Sequence, residues 1–294
     1  MPSGNSVASH SSGLSLLYSA LARPLRLAAG VAAALLTIAF AALAFAQDQV
    51  LPEDSGGDRP RNVKFRCEDT SFKTSDGVKI AARFYRPEKL RMSKVPVVLL
   101  IHQVSGSMAD YEPFIPKLMD EGYSALAIDL RGHGGSIQFD GSVRTWQEFG
   151  DADFGLMIND VYASIRYLET RPEVNIERIA IIGASIGANL ALNYAVNDKR
   201  VRTLVLLSPS RNYHGVQTLD AASRYGTRAL LITACQDDVP SGSDSQALYS
   251  LMEKTALPQK MKLYSGALHG TQILNGGFGF DLIIIAWLGN NLTF

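Results

Sequence analysis

The chain carries 294 residues, 28 of them basic and 28 acidic, with five histidines and two cysteines, and 47% of it is apolar. That is the composition of a folded protein, and zero net charge without a basic run argues against a protein built to bind nucleic acid through its phosphates. Two cysteines exclude a disulfide framework and a thiolate zinc cage. With no HExxH and no C-x-x-C in the sequence, no metal or other cofactor is expected.

Residues 27–46 (LAAGVAAALLTIAFAALAFA) are all apolar, glycine or threonine, and Arg23 and Arg26 stand just before them. A basic segment, an apolar run and Ala44-Phe45-Ala46 make the pattern of a secretory signal peptide cleaved after Ala46. The run also reaches the roughly 20 residues of a membrane-spanning helix. An uncleaved anchor is therefore the alternative, and only in that case is membrane association expected. Either way the rest of the chain is expected outside the cytoplasm, periplasmic or secreted. Residues 47–61 lack apolar periodicity and read as a linker, which leaves 62–294 as a single α/β domain.

In chain order, segments 64–72 and 78–86 flank the turn signal Ser75-Asp76-Gly77 and predict an antiparallel hairpin. Val95–Ile101 is a continuous apolar run, the mark of a buried strand. A helix is predicted at about 111–121 and a strand over Tyr123–Ile128. Phe154–Leu168 has apolar residues at helical spacing, Arg178–Ile182 reads as a short strand, and Ile186–Ala195 as a helix. Strands follow at Thr203–Leu207, Ala229–Thr233 and Met261–Tyr264, with helices at 244–255 and Phe280–Leu288. Alternating strands and helices imply a mostly parallel sheet covered on both faces. Residues 208–228, between two of the strands, leave room for one helix and a loop.

Gly183-Ala184-Ser185-Ile186-Gly187 follows an apolar strand and opens a helix. G-x-S-x-G in that context holds a serine on a strained turn above the sheet, its hydroxyl at a helix N-terminus where positive potential favours an oxyanion. Such a serine needs a base, and the base an acid, and in the fold that carries such an elbow they come in the chain order Ser, then Asp or Glu, then His. His10 lies in the leader, and His102 and His133 precede the serine. His214 follows Ser208-Pro209 on a loop, whereas His269 alone follows the last strand. The acid should follow the preceding strand, where Asp237 and Asp238 are both available. Asp237, four residues past the strand end at Thr233, is the expected partner of His269, with Asp238 the alternative.

With these motifs in order, residues 70–290 resemble the α/β-hydrolase superfamily. Asp129-Leu-Arg131-Gly132-His133-Gly134-Gly135-Ser136 is similar to that family's D-x-R-G-x-G-x-S turn, and Leu100-Ile101-His102 to its strand end before the oxyanion loop. The resemblance implies an α/β-hydrolase fold of about eight mostly parallel strands without a sizeable cap domain. On that pattern Ser185 is the nucleophile, His269 the base and Asp237 the acid, and the backbone N–H groups of Ile186 and Val104 form the oxyanion hole, with Gln103 the alternative to Val104. Dienelactone-hydrolase-like members resemble the His102-Gln103-Val104 segment more closely, although their usual nucleophile is cysteine. The function implied is an exported serine hydrolase of small esters or lactones. An acyltransferase using the same triad, or a non-catalytic binding protein of the same fold, is the alternative. Arg131 and His133 read as structural, and Cys67 and Cys235, expected on opposite sides of the sheet, as free thiols.

Overall fold

Val95–Ile101 (β3) is buried at every residue, and its side chains alternate between two cores. Val97, Leu99 and Ile101 enter one, Val98 and Leu100 the other, as the two-residue period of a strand requires. The same division runs through Ser124–Ile128 (β4), Val174–Ala184 (β7) and Val201–Leu207 (β8). Strands apolar on both faces need a cover on both. A computed structural model describes this arrangement for residues 64–89 and 92–292. The chain divides into two units, 1–60 and 61–294, and every described residue belongs to the second. The predicted leader, cleavage site and linker lie outside the described residues. Among the described residues no helix is long and apolar enough to cross a membrane.

The predicted hairpin is Phe65–Lys73 (β1) and Lys79–Pro87 (β2), turning at Gly77. With Ala229–Cys235 (β11) and Gln259–Tyr264 (β12), the strands form one sheet in the order β1-β2-β4-β3-β7-β8-β11-β12. From β4 to β12 all neighbours are parallel, so their C-terminal ends share one edge. Helices Ile158–Glu169 and Ile186–Ala195 pack on one face, Ile115–Asp120 and Phe280–Asn291 on the other. This is the α/β-hydrolase fold. Cys67 and Cys235 are free and lie on the first and seventh strands of the sheet. At about 4.8 Å per strand spacing that gap is far beyond the roughly 7 Å of a disulfide.

Several boundaries differ from expectation. The helix predicted at 111–121 is a one-turn 3₁₀ segment, Met108–Tyr111, followed by Ile115–Asp120. Pro113 and Pro116 lack N–H donors, and a proline is accommodated only in a first turn. The helix predicted over 154–168 is two, Asp151–Leu156 and Ile158–Glu169, hinged at Met157. Strand β7 runs from Val174 to Ala184 rather than only through 178–182. Residues 208–228 hold the helix Leu219–Arg224 and also a small hairpin, Asn212–Tyr213 (β9) and Val216–Gln217 (β10). Its turn residues His214 and Gly215 both have positive φ, 44° and 78°, the geometry of the two-residue turns that match strand twist. A second such hairpin joins Gln138–Phe139 (β5) and Ser142–Val143 (β6). No cap domain separates β8 from β11.

Candidate active site

Ser185 sits between β7 and the helix Ile186–Ala195 with φ 52° and ψ −117°. A side-chain-bearing residue there stores roughly 1–3 kcal/mol of strain, and the surrounding packing must enforce it. The flanking glycines show how. A Cβ on Gly183 would lie 2.7 Å from the Ala188 nitrogen and within the radius of the Gly187 carbonyl oxygen; one on Gly187 would lie 2.7 Å from the His102 carbonyl oxygen and press into that of Ile101. Strand and helix backbones touch at both positions, so the motif's glycines are steric requirements. The Ser185 N–H donates to the Leu207 carbonyl at 2.8 Å, tying the elbow to β8. As the first residue of its helix, Ile186 has no intrahelical acceptor for its N–H, which stands at the positive end of the helix dipole.

His269 lies on the loop after β12. Its Nδ1 is 2.8 and 3.0 Å from the two carboxylate oxygens of Asp238. The expected partner, Asp237, is elsewhere: it is exposed and accepts from the Gly266 N–H at 3.2 Å while its own N–H donates to the Gly266 carbonyl at 2.9 Å. The expectation of Asp237 is therefore corrected to Asp238. The cause is strand length. β11 continues through Ala234 to Cys235, paired with Tyr264, so the turn starts two residues later than the count from Thr233 assumed. Asp237 faces across to the histidine loop's backbone, and Asp238, with its N–H returning toward the Cys235 carbonyl at 3.4 Å, turns its carboxylate inward.

A carboxylate oxygen only accepts, so Nδ1 of His269 carries a proton; in the neutral ring that leaves the lone pair on Nε2, the form a general base needs. The residue after His269 abuts the one before Ser185: a Cβ on Gly270 would be 3.3 Å from the Ala184 Cβ. The ends of β7, β11 and β12 thus bring the serine, acid and histidine loops to one sheet edge. Val104 lies in the tight turn Gln103–Gly106, closed by a 3.0 Å bond from the Gly106 N–H to the Gln103 carbonyl, with Ser105 at φ 64°. That closure leaves the Val104 N–H outside the turn's own hydrogen bond.

Among the described residues, the other three histidines are held by the scaffold. The Leu130 N–H donates to His102 Nε2 at 2.9 Å, so Nδ1 carries the proton and donates to the Gln103 carbonyl at 2.6 Å. Full burial, then the neighbouring His133, lowers the His102 pKa to about 3, so the ring is neutral. His133 points Nδ1 at the Arg131 carbonyl and stacks on Trp146 at 5.8 Å, and burial lowers its pKa as well. His214 pairs with Asp151 at 3.0 Å and stacks on Phe154. Arg131 is buried between Asp160 and Asp76, as a structural residue should be. Among the described residues no group of three or more His, Cys, Asp or Glu side chains could hold a metal ion.

The model of the dienelactone hydrolase family matches residues 80–273, which include the elbow, Asp238 and His269. The chain belongs to that family. Its fold is shared by the structure of the Pyrococcus furiosus esterase Pf2001, at a TM-score of 0.62 and 20% identity over 83% of this chain and 100% of that one. The acetyl xylan esterase from Paenibacillus sp. R4 superposes with a TM-score of 0.62 at 22% identity, over 81% of this chain and 87% of that one. The polyketide transferase ATR5 of Stachybotrys chlorohalonatus (strain IBT 40285) is 27% identical over 150 residues, covering 50% of this chain and 46% of that protein. The chain spans about half the length of the curated relatives it matches.

Proposed function

We propose that this family member is a serine hydrolase of small esters or lactones, acting through an acyl-Ser185 intermediate. The observation that carries the proposal is the Asp238–His269 hydrogen bond beside a serine held at φ 52°. As Ser185 Oγ attacks the ester carbonyl carbon, its proton passes to His269 Nε2, and Asp238 stabilises the imidazolium through Nδ1–H. The carbonyl electron pair moves onto oxygen, held by the N–H groups of Ile186 and Val104. Collapse restores the carbonyl and expels the alkoxide, which takes the Nε2 proton and leaves as alcohol. Water then attacks the acyl-serine, gives its proton to His269, and releases the acid as Ser185 Oγ is reprotonated. Labelling by a fluorophosphonate probe, with hydrolysis of p-nitrophenyl acetate, should occur in the wild type and be lost in Ser185→Ala; full activity in that variant overturns the mechanism.

Resemblance to the polyketide transferase supports a second reading, in which an alcohol rather than water captures the acyl group. Product analysis with a competing alcohol separates the two. Export rests on the 27–46 segment, and N-terminal sequencing of the secreted or periplasmic protein should begin at Gln47. A soluble cytoplasmic protein retaining Met1 overturns export.

A further inference from the structure

The loop bearing His269 is gripped immediately after the histidine by two side chains from the loops that follow β8 and β3. The Gly270 N–H donates to Ser208 Oγ at 3.0 Å, and Ser208 is fully buried with φ 50°. The Thr271 N–H donates to Gln103 Oε1 at 2.8 Å, and Thr271 Oγ1 donates to the same oxygen at 2.9 Å. Because an amide N–H only donates, the orientation of the Gln103 amide is settled: its oxygen faces the histidine loop. Gln103 stands where the superfamily resemblance places glycine, in the turn that carries Val104. Its backbone carbonyl holds the same turn together, accepting from the Gly106 N–H at 3.0 Å and from His102 Nδ1 at 2.6 Å. One residue thus joins the oxyanion loop, through its main chain, to the histidine loop, through its side chain.

The fit is built from both sides. Gly270 has φ 56°, and a Cβ there would press into Gln103 Oε1 and lie 3.1 Å from its Cδ. The position next to His269 therefore has to be glycine twice over, for its backbone and to admit the glutamine. Thr271 Oγ1 lies 3.4 Å from Asp110 Oδ2, and the Asp110 carbonyl accepts from the Asn275 side chain at 2.9 Å. The helix Thr271–Asn275 is thereby bound at both ends of the segment 103–111.

We propose that Gln103 is a positioning residue: it sets the distance between the general base His269 and the oxyanion donor Val104, so that both meet one tetrahedral intermediate. The proposal rests on the hydrolase reading above. A misplacement of about 1 Å in such an array costs on the order of 100-fold in rate. Removing the strap should thus act on the transition state and spare ground-state binding.

The test uses the full chain with p-nitrophenyl acetate. Gln103→Met keeps the side-chain length and removes the acceptor; Thr271→Val removes one donor from the other side; Thr271→Ser keeps it. Gln103→Met should lower kcat about 10- to 100-fold with KM within about twofold. Thr271→Val should lower kcat less, Thr271→Ser should match the wild type, and the Gln103→Met/Thr271→Val double variant should be no slower than Gln103→Met alone. Thermal melting is measured for each variant, and Thr271→Val carries the test if Gln103→Met does not fold. Wild-type kcat in both Gln103→Met and Thr271→Val, or strictly multiplicative losses in the double variant, overturns the strap while Ser185→Ala remains inactive. Activity retained in Ser185→Ala overturns the hydrolase reading and the strap with it.

Discussion

Replacing Asp238 by asparagine changes one oxygen for an NH₂ group and nothing in volume, so it isolates the charge that faces His269. In the native site Nδ1–H lies 2.8 Å from one carboxylate oxygen and 3.0 Å from the other. Asp238 is 9% exposed and the His269 side chain 33%, so the pair is sheltered on the acid side and partly open to water on the imidazole side. A hydrogen bond to a charged group contributes about 1.5–3 kcal/mol, and partial exposure places this one at the lower end. At about 1.4 kcal/mol per decade of rate, losing the stabilisation of the imidazolium slows acylation roughly tenfold. The larger loss is tautomeric. An asparagine amide that donates to Nδ1 moves the ring proton to Nε2, the nitrogen that the proposed mechanism needs as acceptor, and the two losses together reach about 10³–10⁴-fold in kcat. Asp237→Asn keeps an oxygen for the Gly266 N–H and should stay within about tenfold of wild type. Steady-state hydrolysis of p-nitrophenyl acetate by the two variants, with melting curves to confirm folding, decides the matter. Equal rates, or a slower Asp237→Asn, would refute the assignment of Asp238 as the orienting acid.

Four further outcomes are expected. Gly187→Ala forces a Cβ into the Ile101 and His102 carbonyls; backbone on both sides cannot yield cheaply, so a loss of at least 1–3 kcal/mol, about the range for overpacking, should appear in urea unfolding, and unchanged stability contradicts the packing described. Arg131→Met strands the fully buried Asp160, whose pKa burial already raises to about 6; about 3–5 kcal/mol should be lost, with part recovered on adding Asp160→Asn. The His102 ring should stay neutral with its proton on Nδ1 from pH 7.5 to 4.5 in ¹⁵N spectra. Since its pKa falls from 6.5 to about 3 on folding, the stability tied to that neutrality is complete above 6.5 and lost as pH falls toward 3, at about 1.4 kcal/mol per unit, and a ring that titrates near 6.5 contradicts the burial. With residues 208–228 holding only a hairpin and a six-residue helix, each methylene left in water forgoes about 0.8 kcal/mol of binding; kcat/KM should fall from acetate to laurate esters, and a rise would reveal an apolar channel.

The elbow, the strand–helix alternation and the order of serine and histidine were legible in the residues. The first two are local matters: G-x-S-x-G marks a turn that only glycine-flanked backbone can make, and Val95–Ile101 names a two-sided strand by lacking any polar face; the order of serine and histidine was read from the chain order of the fold that carries the elbow. From the sequence, His133 and Arg131 read as structural because they lie in a Gly-rich turn ahead of the elbow; the structure supplies the bonds that close that turn, with Ser136 Oγ donating to the Asp129 carbonyl at 2.8 Å and the Gly135 N–H to the Asp129 carboxylate at 2.7 Å. What it could not choose was Asp238 over Asp237. Adjacent residues point to opposite sides of a turn, and which side faces His269 depends on where β11 ends, which its pairing with β12 decides. The Ala234-Cys235 continuation was the one local hint. Gln103 showed in the sequence only as a departure from the superfamily's glycine, and Ser208 not at all, since the partners that give them their roles are 168 and 62 residues away. Nothing in a glutamine's neighbours reports a hydrogen bond to a threonine on another strand's loop; only the parallel stacking of β3, β7, β8, β11 and β12, with their carboxyl ends at one edge, brings those groups within 3 Å.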